Sequence, residues 1–137
     1  MIGCGKAKVA AARAKVVELY NGSLYKAHLR LARSQGGPHF ILSGEYGLVS
    51  AESVVANYDT SMTSGDRAKK DAWGAMVLGQ FRALQRPKRL VVLCGKQYLH
   101  GWYDTLCSEG WEIVTPMMGL KVGERLAKVN EILGGNR

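Results

Sequence analysis

Apolar and polar positions change their period several times along this chain of 137 residues. Residues 8–19, KVAAARAKVVEL, are rich in alanine and predict a helix. NGS at 21–23 interrupts it and offers Ser23 as the N-cap of a second helix reaching about Ser34. Leu24, Ala27 and Leu31 recur there at helical spacing, with Lys26, Arg30 and Arg33 on a separate face. GGP at 36–38 stops that helix. Residues 39–43 predict a strand, and 44–64 irregular chain with a short helical turn near 51–55. The longest helix spans 65–85, with Trp73, Met76, Val77, Gln80 and Phe81 along one side and Pro87 beyond its end. RLVVLC, 89–94, is an unbroken apolar run of the kind found in interior strands of parallel sheets. A helix over about 97–108, a strand in WEIVTP and a last helix over 121–133 complete the pattern. Val122, Leu126, Val129 and Leu133 are the inward positions of that last helix.

Strands alternating with helices predict an α/β fold. The expected form is a three-layer sandwich around a small, mostly parallel, Rossmann-like sheet, in one domain over 1–137. Ligands of such sheets bind outside the carboxyl ends of the strands. Those ends read Cys4-Gly5-Lys6, Ser43-Gly44-Glu45-Tyr46, Cys94-Gly95-Lys96 and Thr115-Pro116. The tripeptide CGK thus closes two different strands, and glycine there lets a backbone turn sharply or approach a ligand.

Charge sharpens the picture. The chain carries 19 basic and 11 acidic residues, a net +8. Residues 1–43 and 67–104 each hold +6, and the island between them, 44–66, holds −4 from Glu45, Glu52, Asp59 and Asp66. Two basic blocks suit a polyanionic partner, nucleic acid first; a merely basic, soluble surface is the plainer reading. No run of about 18 apolar residues exists, so no membrane span is expected. The first residues, MIGCGKAK, lack the apolar core of a signal peptide, and a cytoplasmic protein is expected. Cys4, Cys94 and Cys107 form no CxxC pair, and His28, His39 and His100 no close ligand motif. Neither a disulfide framework nor a metal site is expected. The phosphate-loop pattern is absent too, and no cofactor is expected.

One stretch carries a family likeness. LSGEYGLVSAESVVANYDTSM resembles the LSG-x-YGL…I-x-PY-x…M signature of the YaaA-like family of peroxide-stress proteins and their small relatives. The small relatives begin with a CSKTK-like segment, matched by Cys4-Gly5-Lys6-Ala7-Lys8. Their LY-x-G-x-x-F/Y is matched from Leu19 to Tyr25. Their G-x-x-Y is matched by Gly95 to Tyr98, and their P-x-x-GL-x-x-G-x-x-L by Pro116 to Leu126. Gly5 replaces a usual serine. Asn57 replaces a usual proline, which loosens the loop carrying Tyr58 on this reading. The resemblance implies DNA association and excision of modified bases, as in base-excision repair. Larger members add a helix-hairpin-helix region that a chain of this length has no room for, so the core alone would grip DNA.

Hydrolysis of an N-glycosidic bond builds positive charge on the sugar and negative charge on the departing base. A carboxylate near the sugar stabilises the cation and positions water, and a donor near the base takes up its charge. Glu45 is the first candidate for the carboxylate and Asp59 the second. An ion pair from Glu45 to Lys6 or Lys96, and an Asx turn or helix cap at Asp59, are the structural alternatives. Tyr46 and Tyr58 are candidates to stack on an extruded base, or else pack their loop. Lys6 and Lys96 stand where a phosphate or base oxygen would be met; Cys4, Ser43 and Tyr98 complete the expected substrate contacts. Cys4 would be a nucleophile if Lys6 lowered its pKa, but a buried structural thiol is the favoured reading. Tyr20, Tyr25, Trp73 and Phe81 are read as core. The expected activity is a monofunctional DNA glycosylase acting on a modified or damaged pyrimidine, such as uracil or 5-hydroxymethyluracil, flipped out of duplex or single-stranded DNA. No obligate protein partner is expected. A non-catalytic DNA-binding module and an enzyme acting on free nucleosides or nucleotides are the rivals.

Overall fold

The computed structural model describes residues 1–4, 8–58, 66–84 and 89–135. Its elements begin with β1 (Ile2–Gly3), β2 (Arg13–Lys15), α1 (Val16–Leu19), α2 (Ser23–Ser34) and β3 (Phe40–Ser43). β4 (Gly47–Ser50), β5 (Val54–Ala56), α3 (Arg67–Ala83) and β6 (Arg89–Val91) follow. A 3-10 turn (Lys96–Leu99), α4 (Tyr103–Ser108), β7 (Glu112–Val114) and α5 (Val122–Gly135) end the chain. The fold is mixed α/β.

The pairings are mixed, which corrects the expectation of a mostly parallel sheet. β1 lies parallel to β3, and β6 parallel to β7. β3 and β4 are antiparallel, as are β2 and β5. The reason is local: three residues, 44–46, join Ser43 to its paired partner Gly47, so β4 must run back along β3. β1 also meets the chain beyond β6. Gly3 N donates to Leu93 O at 2.9 Å, and Leu93 N to Met1 O at 3.0 Å. A side chain at Gly3 would bring its Cβ to 2.7 Å from Cys94 Cβ, so glycine permits this approach.

Neighbouring strand residues face opposite cores, as the pleat requires. Ile2, Ile41 and Leu93 join Leu19, Leu31 and Val129 in one. Leu42, Val92 and Cys94 join Trp73, Val77, Phe81 and Trp102 in the other. The helix α3 matches its prediction closely. Asp66 caps it by accepting from Lys69 N at 2.8 Å.

Three expectations fail for physical reasons. Residues 8–19 are not one helix. Arg13–Lys15 pair with Val54–Ala56, and Val16 N donates to Ser53 O at 2.8 Å, so a distant segment takes the backbone groups a helix would use. The segment near 51–55, expected to form a helical turn, supplies β5 instead. The helix over 97–108 is split, because Gly101 takes φ +82° and its chain packs directly on Gly74 of α3. Two details differ as well. Ser23 is the first helical residue, with Gly22 at the cap position, and Val122 is 57 % exposed rather than inward.

Candidate functional site

Ser43 closes β3 and is fully buried. Its hydroxyl accepts from the backbone N–H of Glu45 at 3.2 Å and of Tyr46 at 3.1 Å, which caps the hairpin turn. Gly47 takes φ +68° to re-enter the sheet. Gln80 of α3 clamps the turn from outside, accepting from Leu48 N at 2.7 Å and donating to Tyr46 O at 3.1 Å. Trp73, also on α3, donates its Nε1 to Ser43 O at 2.8 Å. Three side chains, those of Ser43, Gln80 and Trp73, therefore hold the turn.

The same Ser43 hydroxyl meets two phenols. Tyr20 OH donates to it at 3.3 Å, and Tyr58 OH lies at 3.0 Å. Tyr20 and Tyr58 also hydrogen-bond each other. Cys4 stands beside them at the end of β1. Its Sγ accepts from Gly44 N at 3.3 Å and from Tyr58 OH at 3.8 Å, and Tyr98 OH lies 3.2 Å away. Four sequence-predicted residues thus converge: Cys4, Ser43, Tyr58 and Tyr98. Each hydroxyl has a single proton, so these contacts form a shared network rather than separate bonds. Burial, the largest cause in each case, raises the phenol pKa of Tyr20, Tyr58 and Tyr98 above its ordinary value. All three phenols are therefore neutral hydroxyls near neutral pH.

Exposure divides the cluster. Ser43, Tyr20 and Tyr98 are buried, whereas Cys4, Tyr46 and Tyr58 are half-buried and form its outer face. The Tyr46 ring meets Tyr58 edge-on at 5.5 Å, and Tyr46 OH donates to Ala56 O at 2.6 Å. Lys8 Nζ sits 4.4 Å over the Tyr58 ring, so one face that was expected to stack on a base already holds a cation. Asn57 does not loosen this loop. Its Nδ2 donates to Val9 O at 2.9 Å and Ala11 O at 3.0 Å, and its Oδ1 accepts from Tyr58 N at 2.8 Å. Three hydrogen bonds here replace the stiffness of a proline ring.

Glu45 is exposed in the hairpin turn, and Lys96 is exposed on the 3-10 turn. Lys6 and Asp59 lie outside the described residues. Tyr20, read as core, is buried at 3 %, but its hydroxyl belongs to the cluster. Its place in the matched LY-x-G segment was the available signal. Lys8 was missed although it ends the CGKAK motif. Trp102 is fully buried against Phe81, with ring centroids 4.7 Å apart. Among the described residues no three of His, Cys, Asp and Glu gather where they could hold a metal ion. No described helix is long and apolar enough to cross a membrane.

A family model described as a family of unknown function (DUF6884) matches residues 1–131. No curated protein and no solved structure matches the chain.

Proposed function

The chain belongs to a family of unknown function, DUF6884, and on the chemistry of its site we propose that it is a monofunctional DNA glycosylase acting on a modified or damaged pyrimidine. One observation carries this reading: Cys4, Ser43, Tyr58 and Tyr98 come together where β1, β3 and the chain beyond β6 end. Neutral hydroxyls at that place suit the carbonyl and imino edges of a base. The resemblance to YaaA-like proteins supports the same class. On this reading Tyr58 meets the base, with Cys4 and Tyr46 beside it, and the buried Ser43, Tyr20 and Tyr98 hold these groups in position.

Glu45 serves as the carboxylate facing the sugar. It directly precedes Tyr46, and Tyr46 is in ring contact with Tyr58. The turn bearing Glu45 therefore lies beside the loop that leads to Asp59, the second carboxylate of the proposal. As the glycosidic bond breaks, a carboxylate stabilises the sugar cation and positions the attacking water. The Tyr58 phenol donates to the base oxygen on which charge develops. The basic blocks 1–43 and 67–104 grip the phosphates. For the fold, the two cores on opposite strand faces support a three-layer, Rossmann-like reading of the sandwich. A cytoplasmic location is part of the same proposal.

The test is incubation with duplex and single-stranded DNA carrying uracil, 5-hydroxymethyluracil or other altered pyrimidines, followed by an assay for abasic sites. We expect abasic sites for at least one base. Glu45→Gln should slow their appearance on the order of 100-fold, the usual effect of losing a general base. Retained DNA binding with no abasic sites across the panel makes the chain a binding module. Base release from free deoxynucleosides with little response to salt makes it a nucleoside enzyme.

A further inference from the structure

A hollow of about 580 Å³ opens between the start of α3, the 3-10 turn and the start of α4. Lys70 lines it from α3 and Lys96 from the 3-10 turn, with His100 just after that turn and Tyr103 at the start of α4. Asp104 is the one acid among these lining residues. It sits in the first turn of α4, where the positive end of the helix favours it. His100 Nε2 is 2.6 Å from Asp71 Oδ1, so this pair satisfies itself. Among the described residues neither lysine forms an ion pair.

The start of α3 is unusual in its charge. Arg67, Lys69 and Lys70 all stand in its first residues, and no acid does. Cations at the positive end of a helix are unfavourable, by about 0.3–1 kcal/mol each at exposed positions. Asp66 and Asp71 offset part of this, and a bound anion would offset more. The hollow is also tied to the hydroxyl cluster by two elements. Trp73 follows Lys70 by three residues on the same helix face and donates to Ser43 O. Tyr98 follows Lys96 by two residues and reaches Cys4 Sγ. Each element gives one cation to the hollow and one ring to the cluster.

We propose that this hollow receives a backbone phosphate of a DNA strand, next to the nucleotide whose base meets the Cys4–Tyr58 face. Tyr103 supplies an aromatic wall for the neighbouring sugar or base. The choice of that nucleotide rests on the glycosylase reading; the anion site itself rests on the two lysines and the charge of α3.

The test measures affinity for a short single-stranded oligothymidine over a range of salt. Removing one lysine that neutralises a phosphate of a single strand should flatten the slope of log K against log salt by about 0.7. Lys70→Gln and Lys96→Gln should each do so, and each should weaken binding several-fold at low salt. Lys128→Gln is the control. It removes the same charge from α5, outside both basic blocks and away from the residues that line the hollow, and should leave the slope as it was. Hollow variants that keep the slope, or a control that flattens it equally, overturn the proposal. Flattened slopes without abasic sites for any base retain the hollow and retire the glycosylase. Abasic sites with unchanged slopes do the reverse.

Discussion

Two strand ends in this molecule carry the same three letters, Cys-Gly-Lys, and have opposite surroundings. Cys94 is buried in the core beneath α3, and the thiol is pushed up to about 12, chiefly by burial. Its Cβ abuts Gly3, where any side chain would collide. Cys4 is half-buried, and a backbone N–H and two phenols surround its sulfur. The difference arises from the turns beside them rather than from the tripeptide. The end of β1 lies against the Ser43 turn, which brings polar groups to Cys4. The end of the chain beyond β6 turns directly into the 3-10 turn and folds its cysteine inward. A motif marks a strand end; the neighbouring strand decides whether that end becomes a site.

The comparison breaks most sharply at Gly3. Gly3→Val forces β1 away from Cys94 and should cost about 3 kcal/mol, near the upper end for overpacking, read as a lowered thermal midpoint. Adding Cys94→Gly removes the atom that is struck and should restore part of the loss; equal midpoints for the single and double variants would mean the two positions are not in contact. On the Cys4 side, Ser43→Ala leaves the turn N–H groups and two phenols short of an acceptor. It should cost about 2 kcal/mol in denaturant melts. A neutral result would remove Ser43 as the centre of the network.

The smallest effect concerns pH. The Cys94 pKa is raised in the folded state, so its contribution is complete below the unfolded value near 9 and is lost as pH rises from there toward 12. By pH 10 the loss should reach about 1.4 kcal/mol, one pH unit of linkage. Cys94→Ala should show a smaller drop between pH 8 and pH 10 than the parent chain. The same drop in both would place that thiol in water.

Much of the site could be read from the residues alone. Strand-end glycines in the SGEYG and CGK segments pointed to Cys4 and Ser43, the family resemblance pointed to Tyr58 and Tyr98, and these four do meet. Helices α2 and α3 were legible because their apolar positions keep one period and their ends carry Gly, Pro or Asp. The segment 8–19 was not. Its alanines favour a helix locally, but β5, about 40 residues away, takes its backbone groups. The break at Gly101 was hidden for a similar reason, since it answers to Gly74 on another element. Asn57 was misread because its value lies in three hydrogen bonds, two of them to Val9 and Ala11. The joint role of Tyr20, core ring and site hydroxyl, needed the position of Ser43.

The most direct measurement follows alkylation of Cys4 by mass spectrometry, with the exposed Cys107 as internal reference. The Glu45→Gln chain is used so that a bound strand carrying the altered base stays intact. Occupancy of the cluster should slow modification of Cys4 while Cys107 reacts at its usual rate. Saturating DNA that leaves both thiols reacting as in the free protein would show that the base sits elsewhere.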